Sequence, residues 1–311
     1  MLARVAENVY WMGRYLERID DTARLINATT HILIDSHRDT GFSWPVLVDV
    51  LGEDSERFIK EEHSASERAV MHCLIAAENS TASIRYSCSQ LRFNARCVRE
   101  VIPRDIWEEL NGLNLFMQEQ CLHASNRHKR YTLMVEVIRR CQMVIGVMDG
   151  TMLRDDAYHL FNIGRLLERA DMTSRIMDIL ILHQLLPASG PRGQRGIQWH
   201  AVLNALGGVE SYQRYVTRED ERSDVIDFLM SCRVFPRSIS YCLDRVREEA
   251  AFLPHNDSLL ATLEALRRQM DDQDLAVLDV EGLHALIDTL QSGLNDIHTV
   301  LMSDALRLSV A

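Results

Sequence analysis

A chain of 311 residues has room for one large domain or two of ordinary size, and an apolar content of 47% supplies a sizeable core. Its net charge of −11 argues against nucleic acid as a bulk partner. Six prolines and fourteen glycines are few for this length, which favours long helices over many strands and turns.

The predicted elements follow in chain order. A first helix runs from about Ala3 to His37, and Gly41-Phe42-Ser43-Trp44-Pro45 ends the connection after it. Trp44 to Leu51 forms a short helix or turn, and polar Glu53 to Ser64 reads as a loop with helical turns. Ser66 to Ala77 is helical, capped by Ser64 or Ser66. Asn79 or Ser80 is expected to cap the next helix, which continues to the break at Pro103. Arg104 to Cys121 is amphipathic, and Asn126 to Met148 forms a long helix ending at Gly150. Another long helix spans about Asp155 to Leu186. Pro187 to Gly196, rich in glycine and proline, is the clearest loop, either a connection or a lid. It lacks the Gly-Lys-Ser/Thr ending of a phosphate-binding P-loop. Gln198 to Leu206, Val209 to Tyr215 and Asp220 to Ser231 are helical. A helix opening with Pro236 in its first turn reaches Phe252, and Asp257 to Met270 and Val280 to Leu306 close the chain. The fold expected is all-α: two pseudo-repeated antiparallel bundles, about 1–150 and 151–311, packed into one body.

The repeat is visible in the residues. Gly13 to Arg24 matches Gly164 to Arg175 at eight of twelve positions, and the matches include Arg14/Arg165, Glu17/Glu168, Arg18/Arg169, Asp20/Asp171 and Arg24/Arg175. Solvated charges drift freely, so repeated ones imply defined partners. A glycine inside a helix costs roughly 1 kcal/mol, which is best explained by another backbone or a ligand approaching closely. The two helices are therefore expected to cross near Gly13 and Gly164. Helical spacing puts Glu7, Tyr10, Trp11, Arg14, Arg18 and Asp21 on one face. Two readings fit: helices cross-linked by Arg–Glu pairs, or a polar cleft whose arginines bind a carboxylate or phosphate. Tyr10 and Trp11 beside Arg14 favour the cleft there, and Asp21 within a turn of Arg18 favours the network there. Arg92, Arg96 and Arg99 share a face of a later helix, with Arg85 seven residues back, and allow the same two readings.

Other chemistry finds little support. Glu281-x-x-His284 and the weaker Asp156-x-x-His159 do not complete a di-metal carboxylate set, so no metal is assigned. Cys121 near His123 is a poor nucleophile pair, and no G-x-S-x-G or dinucleotide fingerprint is present. The seven cysteines contain no CxxC pair and read as reduced residues of a cytoplasmic protein. No secretory leader or membrane-spanning segment is expected. Homo-oligomerisation stays open.

Several motifs in order resemble one family. VAENVYWMGRYLERIDDTARL, LRFNARCVRE followed by DIWEELNGLN, FNIGRLLERADMTSR, Trp199 with Glu210 and Tyr212 nearby, and FLMSCRVFPRSISYCLDRV are together similar to the bacterial alpha-E family, over essentially the whole chain. The resemblance implies an all-helical domain in the company of a circularly permuted ATP-grasp protein and a transglutaminase-like protein, hence a system that makes or modifies peptides or amides. Carried onto this chain, its motif positions are Glu7, Asn8, Tyr10, Trp11, Gly13, Arg14, Glu17 and Arg18, then Arg92, Asn94 and Arg96, then Arg165, Glu168 and Arg169, and Arg237. Phe93 stands where an acidic residue is expected, which weakens a catalytic role for the middle motif. The function implied is a helical accessory or substrate-handling component with an Arg/Glu-lined site. An enzyme acting on amides or transferring amines is the alternative, as is a structural scaffold. No cofactor or catalytic residue is assigned.

Overall fold

The computed structural model describes residues 1–35, 44–63, 65–182, 202–216, 221–275 and 277–307. The Pro187–Gly196 loop and Trp199 lie outside them. Among the described residues the chain is all-α, with no strand.

The elements are α1 (Ala3–Asp35), α2 (Val46–Val50), α3 (Ser55–Glu62), α4 (Glu67–Ile75), α5 (Ile84–Cys97), α6 (Arg104–Gln120), a 3-10 turn (Cys121–Ser125) and α7 (Arg127–Thr151). After them come α8 (Asp156–Leu182), α9 (Val209–Tyr215), α10 (Glu221–Ser231), α11 (Ile239–Ala250), α12 (Asp257–Asp271) and α13 (Val280–Arg307). They fall into two compact units. One holds Met1–Arg14 with Leu153–Ala311, and the other holds Tyr15–Met152.

Caps set several of the starts. Ser66 and Asn126 accept the amides of Ala69 and Lys129 and so begin α4 and α7. Three starts differ from the sequence reading. Glu53–Ser64 holds a true helix, α3, because the Asp54 side chain accepts the amide of Arg57. Ser83 caps α5, not Asn79 or Ser80: the Ser80 hydroxyl donates to Glu53 at 2.8 Å, and the same carboxylate takes Thr81 and the amide of Ala82. Ser238 caps α11, leaving Pro236 outside the helix. One end differs as well. α5 stops at Cys97, where Val98 leaves helical geometry and a turn folds Val98 and Ile102 into the interior.

In the Tyr15–Met152 unit, α5 packs on α6, α6 on α7, and α4 and α7 on the 3-10 turn. Leu91, Ala95, Ile106, Leu113, Met134 and Val137 are buried there. Arg130 is also fully enclosed; it pairs with Glu67 at 2.5 Å and donates to the carbonyl of Ala124. In the other unit α8 packs on α11 and α13, and α12 on α11 and α13. Its core includes Tyr10, Met12, Phe161, Leu167, Phe228, Val246, Leu263 and Ile297.

Candidate functional site

The repeated motif meets itself in the Met1–Arg14/Leu153–Ala311 unit. A methyl group on Gly13 would overlap the carbonyl oxygen of Phe161 and stand 3.0 Å from the amide nitrogen of Arg165. One on Gly164 would overlap the carbonyl oxygen of Tyr10 and stand 3.3 Å from the amide nitrogen of Arg14. Each glycine thus touches the residues at −3 and +1 of the other helix's glycine, so the contact is reciprocal. Backbone-to-backbone approach of this kind is open only to a residue without a side chain.

The crossing places Arg14 against Glu168. The Arg14 guanidinium donates through Nε to the Glu168 carboxylate and through Nη1 to the Tyr10 hydroxyl at 2.9 Å. Their side chains are 14% and 1% exposed, so this is an internal ion pair and not the open cleft favoured for Arg14 from sequence. Burial acts to lower the Arg14 pKa, but Glu168, Tyr10 and Asp171 outweigh it and the guanidinium is held charged. Arginine has only donors, so the Tyr10 oxygen accepts from it, and the same hydroxyl is hydrogen-bonded with Nδ1 of His298 at 2.9 Å. Burial, and then Arg14, push the His298 pKa below its ordinary value, with Glu168 opposing, which favours the neutral ring. The Tyr10 ring stacks on His298 at 5.4 Å and Trp11 meets it edge-on at 5.5 Å.

Most of the other motif residues of this unit have named partners. Glu7 is exposed, and Asn8 donates to the Arg4 carbonyl. Arg165 donates to Asn162 at 3.2 Å. Arg169 donates to the Pro236 carbonyl at 3.2 Å, and Thr173, one turn on, donates to the Arg237 carbonyl at 3.0 Å. The Phe-Pro-Arg-Ser strip before α11 is therefore anchored on α8 through its backbone.

The Tyr15–Met152 unit contains the rest. Glu17, Asp20 and Asp21 are buried, with ligand oxygens within 4.8 Å of one another on one face of α1. Arg24 donates to Asp20 at 2.8 Å and answers part of this charge. The repeat-equivalent Arg175 makes the same bond to Asp171 at 2.9 Å, inside the other unit. The histidines considered as metal ligands have separate carboxylates, His159 on Glu249 at 2.6 Å and His284 on Asp178 at 2.7 Å. Arg18 lies over the Tyr15 ring.

On α5, Arg92 donates to Asn111 at 2.7 Å and lies over Trp107, which Arg99 also covers at 4.8 Å. Asn94 is buried, whereas Phe93 and Arg96 are exposed. Arg92, Phe93 and Arg96, with Ser89 and Gln90, line a surface cavity of about 420 Å³. Arg96 has no ion-pair or hydrogen-bond partner among the described residues.

Comparison with known proteins bears on this arrangement. A family model described as Alpha-E, "a predicted alpha-helical domain with a conserved ER motif", matches residues 1–304. The chain belongs to the Alpha-E family. It is similar to the uncharacterized proteins Mb2597 of Mycobacterium bovis and Rv2567 of Mycobacterium tuberculosis, each 22% identical over 98% of this chain. The chain spans 37% of the length of these relatives. No solved structure matches.

Of the five Glu-Arg pairs in the sequence, two recur in register within the shared Gly-Arg-x-Leu-Glu-Arg core, Glu17-Arg18 and Glu168-Arg169. They fall in different units, as do the motif positions at large: Glu17, Arg18, Arg92, Asn94 and Arg96 in one, the remainder in the other. His298 escaped the sequence reading. No motif surrounds it, and its partner Tyr10 is 288 residues away. Glu67 and Arg130 escaped for the same reason, being 63 residues apart.

Proposed function

We propose that this Alpha-E chain is a helical accessory or substrate-handling component of an ATP-grasp-linked peptide or amide synthesis or modification system, in a cytoplasmic setting. Its working surface is the Arg92–Arg96 face of α5, which receives a carboxylate- or phosphate-bearing ligand. The observation that carries this reading is Arg96, which has no ion-pair or hydrogen-bond partner among the described residues and shares a cavity with Arg92 and the exposed ring of Phe93. In a chain of net charge −11, a guanidinium left unanswered beside a second one is an anion-binding feature. The relatives add support, because a domain occupying about a third of a longer chain is suited to work beside other modules. The all-thiol cysteines agree with the cytoplasmic setting.

The buried charges of the repeated motif take a second role in this proposal. Arg14, Glu168 and Tyr10 satisfy one another inside the unit and act as its frame. A general base would need a carboxylate open to substrate, and Glu168 is 1% exposed. The partners proposed are a circularly permuted ATP-grasp protein and a transglutaminase-like protein. The test is co-purification with the ATP-grasp protein, followed by ATP turnover over a panel of amino acids, with and without this chain and with its Arg96→Ala variant. Turnover that rises with the parent chain and falls back with the variant supports the proposal. Absence of complex, or turnover indifferent to the chain, overturns it.

A further inference from the structure

A second cavity, distinct from the α5 face, carries its own chemistry. It measures about 390 Å³ and lies in the Tyr15–Met152 unit, where the end of α6, the 3-10 turn and the first turns of α7 meet. Phe116 and Leu133 give it an apolar wall, and His123, His128 and Lys129 bring three basic side chains to it. None of those three side chains has a hydrogen-bond or ion-pair partner among the described residues.

The surroundings leave the charge unanswered. α7 opens with Arg127-His128-Lys129-Arg130, although the start of a helix already carries partial positive charge. Glu67 takes Arg127 and Arg130, and His128 and Lys129 are left to line the cavity. The lining contains one carboxylate, Glu136, which Arg139 and Arg140 hold at 3.5 and 3.0 Å. Arg140 also stands 4.6 Å from the centroid of the Phe116 ring. α6 contributes only the uncharged Phe116 and Gln120. An acidic chain has thus gathered an ammonium and two imidazoles from two elements around a partly apolar hollow of ligand size.

We propose that this cavity binds a small organic phosphate. The phosphate sits among His123, His128 and Lys129, whose N–H groups come from both the 3-10 turn and α7. The apolar or ring portion lies against Phe116 and Leu133. A doubly charged group with three acceptor oxygens suits three separate donors better than a planar carboxylate, which a guanidinium fork would serve.

The test is calorimetric titration of the full chain with phenyl phosphate, inorganic phosphate and benzyl alcohol. It is repeated on a His128→Ala/Lys129→Ala variant, on His123→Ala and on Arg96→Ala. The four substituted side chains are exposed, so the fold is retained. Phenyl phosphate should bind saturably and about tenfold more tightly than inorganic phosphate, with benzyl alcohol silent. The double variant should weaken phenyl phosphate by about tenfold or more, His123→Ala should weaken it measurably, and Arg96→Ala should leave it unchanged. Lack of saturable binding by phenyl phosphate overturns the site. So does a double variant that binds like the parent, or a loss confined to Arg96→Ala, which would move the phosphate to the α5 face.

Discussion

Gly13 and Gly164 press against each other's helix backbone, each leaving no room for a methyl group where the other helix passes. Elsewhere in a helix, glycine to alanine is a gain of roughly 1 kcal/mol. Here the added carbon meets carbonyl and amide atoms, which cannot swing aside as a side chain would. Gly13→Ala and Gly164→Ala should each therefore destabilise the protein by about 2 kcal/mol or more, through separation of α1 and α8. Gly146→Ala is the control, because nothing lies within 4 Å of the added carbon. It should stabilise by about 0.5–1 kcal/mol. Urea unfolding of the three variants decides; equal effects would remove the close-approach explanation.

The same crossing fixes the outcome for Arg14→Met. Methionine fills much of the volume but takes the Arg14 guanidinium away from Glu168, which is 1% exposed. Breaking a buried pair from one side costs about 3–5 kcal/mol. A second change, Glu168→Gln, removes the buried carboxylate charge and should recover part of that loss. Thermal unfolding of the single and double variants measures the coupling. A near-neutral Arg14→Met would mean that Arg14 stands in open solvent.

The helices were legible because apolar periodicity and short-range caps are local. Ser66 and Asn126 announce α4 and α7 from their own neighbourhoods. Ser80 looked equally suited to cap α5, but Glu53, 27 residues earlier, claims its hydroxyl. α3 was hidden because Phe58 and Ile59 are its only large apolar residues and Asp54 supplies the start. At the candidate sites the repeat exposed the glycine crossing, since a costly residue recurring in register requires a cause. It did not reveal that Arg14 would face inward, which depends on where Glu168 arrives. His298, His123 and Lys129 carry no repeated pattern, and only tertiary packing gives them a setting.

Two histidines on α13 should respond to pH in opposite directions. The His298 pKa is lowered from 6.5, by burial and then by Arg14. As pH falls through about 6.5 the unfolded chain gains a proton that the folded ring resists, so this group's contribution falls with pH. The His284 pKa is raised, first by its hydrogen bond to Asp178, with burial opposing and the charges of Asp178 and Asp288 adding to the rise. Its contribution is fully present below 6.5 and is lost as pH rises through the raised value. Relative to the parent, His298→Gln should lose stability less steeply on acidification below about 6.5, and His284→Gln should lack the gain that the parent makes as pH falls from the raised value to about 6.5. Unfolding midpoints from pH 5 to 8 provide the comparison, and slopes of the same sign would contradict the opposed environments.

Glu67 and Arg130 define a lower pH window. Arg130 is fully enclosed, and Glu67 is its carboxylate partner while also accepting from Arg127. Burial acts to raise the Glu67 pKa, but hydrogen bonds from Arg127 and Arg130, with their charges, outweigh it and bring it below 4.5. The stability this supplies is therefore present above about 4.5 and is lost as pH falls through the lowered folded value. Glu67→Gln removes the charge at every pH and leaves Arg130 buried with a weaker acceptor. It should lower stability at neutral pH by about 3 kcal/mol, the scale of an uncompensated buried charge. It should also flatten the acid limb, because the titrating group is gone. Arg130→Met should cost a similar amount at neutral pH, since Glu67 retains Arg127 only at the more exposed end of the pair. Combining Arg130→Met with Glu67→Gln should cost less than the sum of the two. Chemical denaturation at pH 7 and pH 4 separates these terms, and strict additivity in the double variant would show that the pair contributes nothing to the fold.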